Sequence, residues 1–272
     1  MQDKITHVKT LTNEYDIEVE WDLTARCNYS CSYCKSYDNT QPLLLKSLAE
    51  YEDVIDYLIS YFFKKRIKID FLGGEPTLFK DWANILEYVY MQGHVPKITT
   101  NLAIPIKTLK EKLNNKTFKE CIDVSFHPEF AESDNFIDKV KFLYNEGFLK
   151  TVSILMHPDY WEIGKKVYNE LEYTGKLSYS RIKNEDTQSV SIASSIINYT
   201  AEQKKLLDKP SKRADLKITE VHYGNKVKYY KGIEELLAND ITDFKGMRCY
   251  IGTTRLHIKP NGDAYPSACL LN

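Results

Sequence analysis

Between residues 17 and 183 the chain alternates strictly between strand-like and helix-like segments, and this constrains its fold more than any other feature. Residues 17–23 (IEVEWDL), 67–72 (IKIDFL), 97–101, 121–127 (CIDVSFH), 150–156 and 177–183 read as strands. Residues 46–63, 80–91, 105–115, 133–146 and 159–172 read as helices. In the first of these, Leu48, Tyr51, Val54, Ile55, Leu58, Ile59 and Phe62 fall at helical spacing. Strands separated by helices run parallel, because each helix carries the chain back to the same end of the sheet. Six β and five α segments fall short of a full eight-stranded barrel. The expectation is an α/β fold, a partial (β/α)6 TIM-type barrel with a lateral opening over residues 1–184. A smaller C-terminal extension, 185–272, is expected to cap it. Residues 186–216 are polar and irregular. Two hairpins follow, one around Gly224-Asn225 and one around Pro260-Asn261-Gly262-Asp263.

The cysteines come next. Three of the six, Cys27, Cys31 and Cys34, lie within eight residues directly after the first strand. A cysteine cluster this tight reads as a metal site before it reads as disulfides. Three thiolates on one loop suit three irons of a [4Fe-4S] cube and leave the fourth iron open to a ligand. Zinc is the alternative, but it takes four ligands and commonly paired C-x-x-C units, and no second pair lies nearby.

Composition narrows the class further. The chain is 43% hydrophobic and 28% charged with a formal net charge of -1, so the overall balance signals neither nucleic acid nor an acidic membrane surface. No run of about 18 apolar residues and no signal-peptide core is present, so a cytoplasmic protein without a membrane span is expected.

The Cys27-x3-Cys31-x-Tyr33-Cys34 loop and the Gly73-Gly74-Glu75-Pro76 segment after the second strand together resemble the radical S-adenosylmethionine superfamily. The resemblance spans roughly residues 15–183. It implies that Cys27, Cys31 and Cys34 ligate one oxygen-sensitive [4Fe-4S] cluster, whose open iron chelates S-adenosylmethionine. It places Tyr33 near the adenine and Gly73, Gly74 and Glu75 around the methionine amino group. More loosely, it assigns Asn101, Ser125, Ile154 and His157 to the nucleoside. The implied chemistry is reductive cleavage to a 5′-deoxyadenosyl radical that abstracts hydrogen from a peptide or small polar substrate. An external electron donor such as flavodoxin or ferredoxin would supply the electron. A catalytically inactive iron–sulfur or zinc scaffold, and a nucleotide- or nucleic-acid-modifying enzyme, are the competing readings.

Residues 246–269 resemble the start of a twitch or SPASM auxiliary-cluster region, with Cys249 and Cys269 as the matching cysteines. Too few further cysteines remain to complete such a site. A cap without a cluster is therefore expected, against completion by another atom or chain, or a shortened form. Cys121, at the start of a strand, reads as a small core residue.

Strand parity selects the residues facing the barrel interior. By that rule Glu20, Asp22, Asp70, Asp123, His127 and Arg181 are candidate pocket residues. A structural interior would carry branched apolar side chains instead. The carboxylates could equally be held by neighbouring cations.

Overall fold

The computed structural model describes residues 5–11, 14–34, 39–40, 43, 45–182, 199–207, 218–231, 235–236, 239, 241 and 254–266. All six expected strands form: β2 (Ile17–Thr24), β3 (Ile67–Gly73), β4 (Val95–Thr100), β5 (Ile122–Phe126), β6 (Leu149–Leu155) and β7 (Leu177–Ser180). Between them lie α1 (Leu48–Tyr61), α2 (Trp82–Met91), α3 (Ile106–Leu113), α4 (Ser133–Asn145) and α5 (Trp161–Leu171). A further helix, α6 (Ala201–Leu207), follows. Local chemistry sets several of these boundaries. Ser47 and Glu50 form a reciprocal capping box at the start of α1. Glu132 caps α4 by accepting from the Asp134 and Asn135 N–H groups at 2.9 and 2.6 Å.

Strands β2 to β7 pair in parallel in sequence order, the arrangement that helical crossovers require. The sheet continues past β2. Strand β10 (Arg255–Ile258) pairs in parallel with β2, with His257 opposite Glu20, and β11 (Ala264–Tyr265) closes that side antiparallel. The fold is thus a partial TIM-type barrel, an eight-stranded sheet with seven parallel strands. The C-terminal hairpin forms around the expected turn, and its first strand extends the barrel sheet.

The other hairpin, β8 (Ile218–Tyr223) and β9 (Lys226–Lys231), also forms as read. It pairs with β1 (His7–Leu11) in a separate antiparallel sheet of order β1-β8-β9. Val221, Tyr230, Leu236 and Ile241 make a small second core beneath it. Sequence gave no notice of β1, a short segment with lysine and threonine on both parities.

The main core lies between the sheet and its helices. Val19, Trp21, Leu23, Ile69, Phe71, Ile98, Val124 and Phe126 project into it from the strands and are at most 3% exposed. Cys121 is buried there as well, as expected. Cys249 and Cys269, and with them the auxiliary-cluster reading, lie outside the described residues.

Candidate functional site

The C-terminal ends of parallel strands present their loops together, and sites in such folds form there. The cysteine loop leaves β2 at Thr24. Its neighbour is the turn that leaves β3 at Gly73, and the two backbones join closely. Gly74 N–H donates to the Thr24 carbonyl at 2.8 Å and Glu75 N–H to the Arg26 carbonyl at 2.9 Å. Gly73 adopts φ +122°, and a Cβ on Gly74 would lie 1.9 Å from the Arg26 carbonyl oxygen. Only glycine allows this approach.

Glu75 locks the same turn from below. It is 1% exposed. Its Oε1 accepts from the Thr77 N–H and hydroxyl and from the Thr100 hydroxyl at 2.6 Å, and its Oε2 from the Asn101 N–H at 2.8 Å. Burial pushes the Glu75 carboxyl above the ordinary carboxylate range, and these hydrogen bonds pull it back. The carboxylate thus ties β3 to the end of β4 while Oε2 keeps a lone pair.

Several side chains hold the cysteines. Cys27 N–H donates to Asn39 Oδ1 at 2.9 Å, and Asn39 Nδ2 reaches the Tyr29 carbonyl and the Ser30 hydroxyl, both at 3.1 Å. Asn101 Nδ2 donates to Asn28 Oδ1 at 2.8 Å and lies 3.6 Å from Cys27 Sγ. Cys31 is buried, with Sγ 3.5 Å from His127 Nδ1. Tyr33 stacks on His127 with the rings 9° from parallel, and its hydroxyl lies 3.1 Å from the same nitrogen. Glu129 fastens the loop across the barrel mouth, accepting from Ser32 N–H at 2.7 Å and from the Ser32 hydroxyl.

The thiols carry an electrostatic cost in this arrangement. Burial raises the Cys27 thiol pKa, with Glu75 and Cys34 adding to it. Burial pushes Cys31 up to about 11, opposed by a hydrogen bond from Tyr33 and reinforced by Glu129, Cys34 and Cys27. Three sulfurs, Cys31 buried and Cys27 and Cys34 partly so, that repel one another as thiolates suit a positively charged metal group. Among the described residues, no three His, Cys, Asp or Glu side chains are placed to share a single metal ion. A cube would take each thiolate on a separate iron rather than share one ion, and three free thiols on one loop are the donor type that group requires.

The expected nucleoside residues fall into two sets. Asn101, Tyr33 and His157 gather at the mouth. His157 Nδ1 accepts from the Asp159 N–H at 3.2 Å, and its ring lies 6.0 Å from that of Tyr33. Ser125 shares the inward face of β5 with Asp123 and His127. Ile154 is fully buried and packs with Met156 over Gly164 of α5. Its side chain therefore points to the helices, and only its backbone is left to meet a nucleoside.

The expected pocket residues prove to be heavily paired. Lys97 Nζ bridges Asp70 at 2.8 Å and Asp123 at 2.7 Å. Lys68 joins Glu18 at 2.6 Å and approaches Asp70 at 3.6 Å. From β10, Arg255 reaches Glu18 at 3.0 Å and Glu20 at 3.4 Å, while His257 Nε2 meets Asp22 Oδ2 at 3.0 Å. Burial works against the Lys97 ammonium, but Asp70 and Asp123 outweigh it and raise its pKa. For Asp22 the balance is reversed: burial raises its pKa more than His257 lowers it. His127 is pushed down to about 4 by burial, with Glu129 opposing, so it is neutral near pH 7. Arg181 lies beyond β7 near Tyr199, whose hydroxyl donates to the Met156 carbonyl at 2.7 Å. Sequence reasoning missed Glu129, Asn39, Thr100, His257 and the lysine bridges. Inward parity on β3 and β4 would have found Lys68 and Lys97. Nothing local marks Asn39 or His257.

No family model matches the chain. An S-adenosylmethionine-dependent nucleotide dehydratase from Selenomonas ruminantium is 36% identical over 85 residues, which is 31% of this chain and 29% of that protein. Streptococcus suis SuiB bound to S-adenosylmethionine superposes with a TM-score of 0.60 at 16% identity, over 95% of this chain and 62% of SuiB. SuiB bound to its precursor peptide SuiA superposes at 0.57 with 14% identity, over 95% of this chain and 61% of that one. This chain therefore spans less than two thirds of either protein, and the SuiB likeness is one of fold.

Proposed function

We infer that this chain, which has the fold and the cysteine loop of the radical S-adenosylmethionine enzymes, binds one [4Fe-4S] cluster and S-adenosylmethionine at the β2 and β3 ends and abstracts hydrogen from a peptide or small polar substrate. The observation that carries this reading is the three-cysteine loop locked by backbone hydrogen bonds onto the Gly73–Glu75 turn. Cys27, Cys31 and Cys34 are the ligands in this reading. Bound together, the cluster and S-adenosylmethionine supply one-electron cleavage of the sulfonium and hydrogen-atom abstraction.

The chain's own residues position and shield. The Gly73-Gly74 backbone and Glu75 Oε2 offer acceptors to an ammonium at the turn. Tyr33 and His127 form a flat aromatic wall suited to an adenine. Asn39, Asn101 and Glu129 hold the loop in one geometry, which limits solvent entry to the sulfurs. A cap beyond residue 184 belongs to this reading too, except that the β10–β11 hairpin joins the barrel sheet and β1 joins the β8–β9 hairpin. An external one-electron donor of flavodoxin or ferredoxin type completes it.

SuiB's precursor peptide supports a peptide substrate. The sequence match to a nucleotide dehydratase favours a nucleotide as the second reading. The test is anaerobic reconstitution with iron counting and assay of 5′-deoxyadenosine. About four irons per chain are expected, and about eight would restore an auxiliary cluster at Cys249 and Cys269. Cys31→Ala should abolish 5′-deoxyadenosine. Turnover that survives this change, or zinc in place of iron, defeats the proposal.

A further inference from the structure

A left-handed backbone under a bulky side chain is costly, and it collects at functional sites where the surroundings over-determine it. Four non-glycine residues among those described have positive φ, and of these only Leu102 (φ +58°) is buried. Lys64, Asn115 and Glu120 are exposed. Leu102 lies just beyond β4. Its N–H donates to Thr100 Oγ1 at 3.0 Å, and the buried Lys139, from α4, donates through Nζ to its carbonyl at 3.0 Å. Glu75 holds the two residues before it, through the Thr100 hydroxyl and the Asn101 N–H. The corner at 100–102 is thus fixed from both sides.

That corner aims the Asn101 side chain. Asn101 Oδ1 accepts from the Ala103 N–H at 2.9 Å, which settles the orientation of the amide and leaves Nδ2 facing the cysteine loop. One N–H of Nδ2 goes to Asn28 Oδ1 at 2.8 Å, and the other is directed to Cys27 Sγ at 3.6 Å. The Tyr29 N–H meets the same sulfur at 3.4 Å. Both N–H groups of the amide are therefore spent inside the protein, and neither is left for a nucleoside. A thiolate sulfur on iron still accepts hydrogen bonds, and such bonds help to set a cluster's reduction potential. Adding an electron makes the sulfurs more negative, so a donor stabilises the reduced form more than the oxidised one. A donor to the sulfur therefore raises the potential.

We propose that Asn101 is a positioning residue for the cluster, donating from Nδ2 to the Cys27 sulfur and making the cluster easier to reduce. The proposal rests on the cluster reading above and assigns Asn101 to the cluster in place of the nucleoside. The strained corner is what holds the donor in place, since rotation of the Asn101 side chain would break its bonds to Ala103 and Asn28 together. A purely structural role would use the amide only to tie the end of β4 to the cysteine loop. That role predicts a change in how much iron the chain holds, and no change in the potential of the clusters that form.

The test is a redox titration of the full chain, reconstituted under anaerobic conditions without S-adenosylmethionine and followed by electron paramagnetic resonance. Asn101→Asp keeps the size and the acceptor for Ala103 N–H but removes the donor. Asn101→Ser keeps an acceptor for the turn, carries no charge and is too short to reach the sulfur. The aspartate variant is expected to shift the reduction equilibrium at least about tenfold towards the oxidised cluster, about 59 mV for one electron. The serine variant should shift it at least about threefold in the same direction. Parental potential in both variants, or a shift towards the reduced form in the serine variant, overturns the proposal. Loss of the cluster from both variants makes Asn101 a structural prop and overturns it as well. Parental potential with about four irons per chain sinks this inference alone and leaves the functional reading standing. A parent chain that assembles no cluster defeats the functional reading, and this inference falls with it.

Discussion

The two faces of the barrel sheet are made from alternate residues of the same strands, yet they solve opposite problems. Towards the helices, β2 presents Val19, Trp21 and Leu23, and β3 presents Ile69 and Phe71, all close-packed and at most 3% exposed. Towards the interior the same strands present Glu18, Glu20, Asp22, Lys68 and Asp70, held by ion pairs. The first face accounts for stability. Its apolar area leaves water at roughly 25 cal/mol per Å2. The second contributes little net stability, because desolvating each charge offsets most of the attraction gained from its partner. Such an interior is held together pair by pair, with Lys68, Lys97 and Arg255 each serving more than one carboxylate.

This contrast can be broken or sharpened by mutation. The largest effect is expected on the helix side. Phe71→Ala removes a fully buried ring packed 5.9 Å from Trp21, and chemical denaturation should show a loss of about 3–5 kcal/mol. A loss below about 1 kcal/mol would mean that the helix face is not the main core. On the interior side, Lys97→Met strands Asp70 and Asp123 and should cost about 3 kcal/mol. The combined variant Asp70→Asn, Lys97→Met, Asp123→Asn should recover most of that loss, because the buried charges go together. Equal destabilisation by the single and combined variants would show that the triad stabilises the fold in its own right.

At the barrel edge the effects are smaller. Arg255 is half-exposed and Glu18 retains Lys68, so Arg255→Ala should change stability by about 1 kcal/mol or less. Smallest is a pH effect at the rim below β4. His94 Nδ1 accepts the Ile67 N–H at 3.2 Å, and burial, with Arg66 beside it, holds its pKa below the usual 6.5. The unfolded chain therefore takes up this proton first as pH falls. The stabilisation is fully present above pH 6.5 and is lost as pH drops from there through the folded-state pKa. Thermal melts at about pH 7.5 and about pH 5 should show His94→Asn less acid-sensitive than the parent chain. Identical acid sensitivity would remove His94 from the account.

Much of the fold was legible because its signals are local. Alternation in β2 to β7 and helical spacing in α1 to α5 record which side of each element is buried, residue by residue. The cysteine loop and Gly73-Gly74 were legible for the same reason: spacing along the chain fixes which groups one loop can present. Ion-pair partners were harder. Parity placed Asp70 and Asp123 on the interior face correctly, but the residue bridging them sits on a strand whose own pattern names no partner. Ile154 shows the limit of carrying a role over by position, since its side chain packs on Gly164.

What the sequence determined by itself was the alternation of elements, the inward and outward assignment within each strand, and three cysteines on one loop. These depend on backbone periodicity and short-range geometry. Only the tertiary structure decided that β10 adds to the barrel beside β2, that β1 pairs with β8 more than 200 residues away, and that His257 meets Asp22. Strand edges offer the same N–H and C=O groups whatever their sequence. Which edge a distant strand joins is set by the apolar surface and charge that the whole assembly buries, and no local window contains that information.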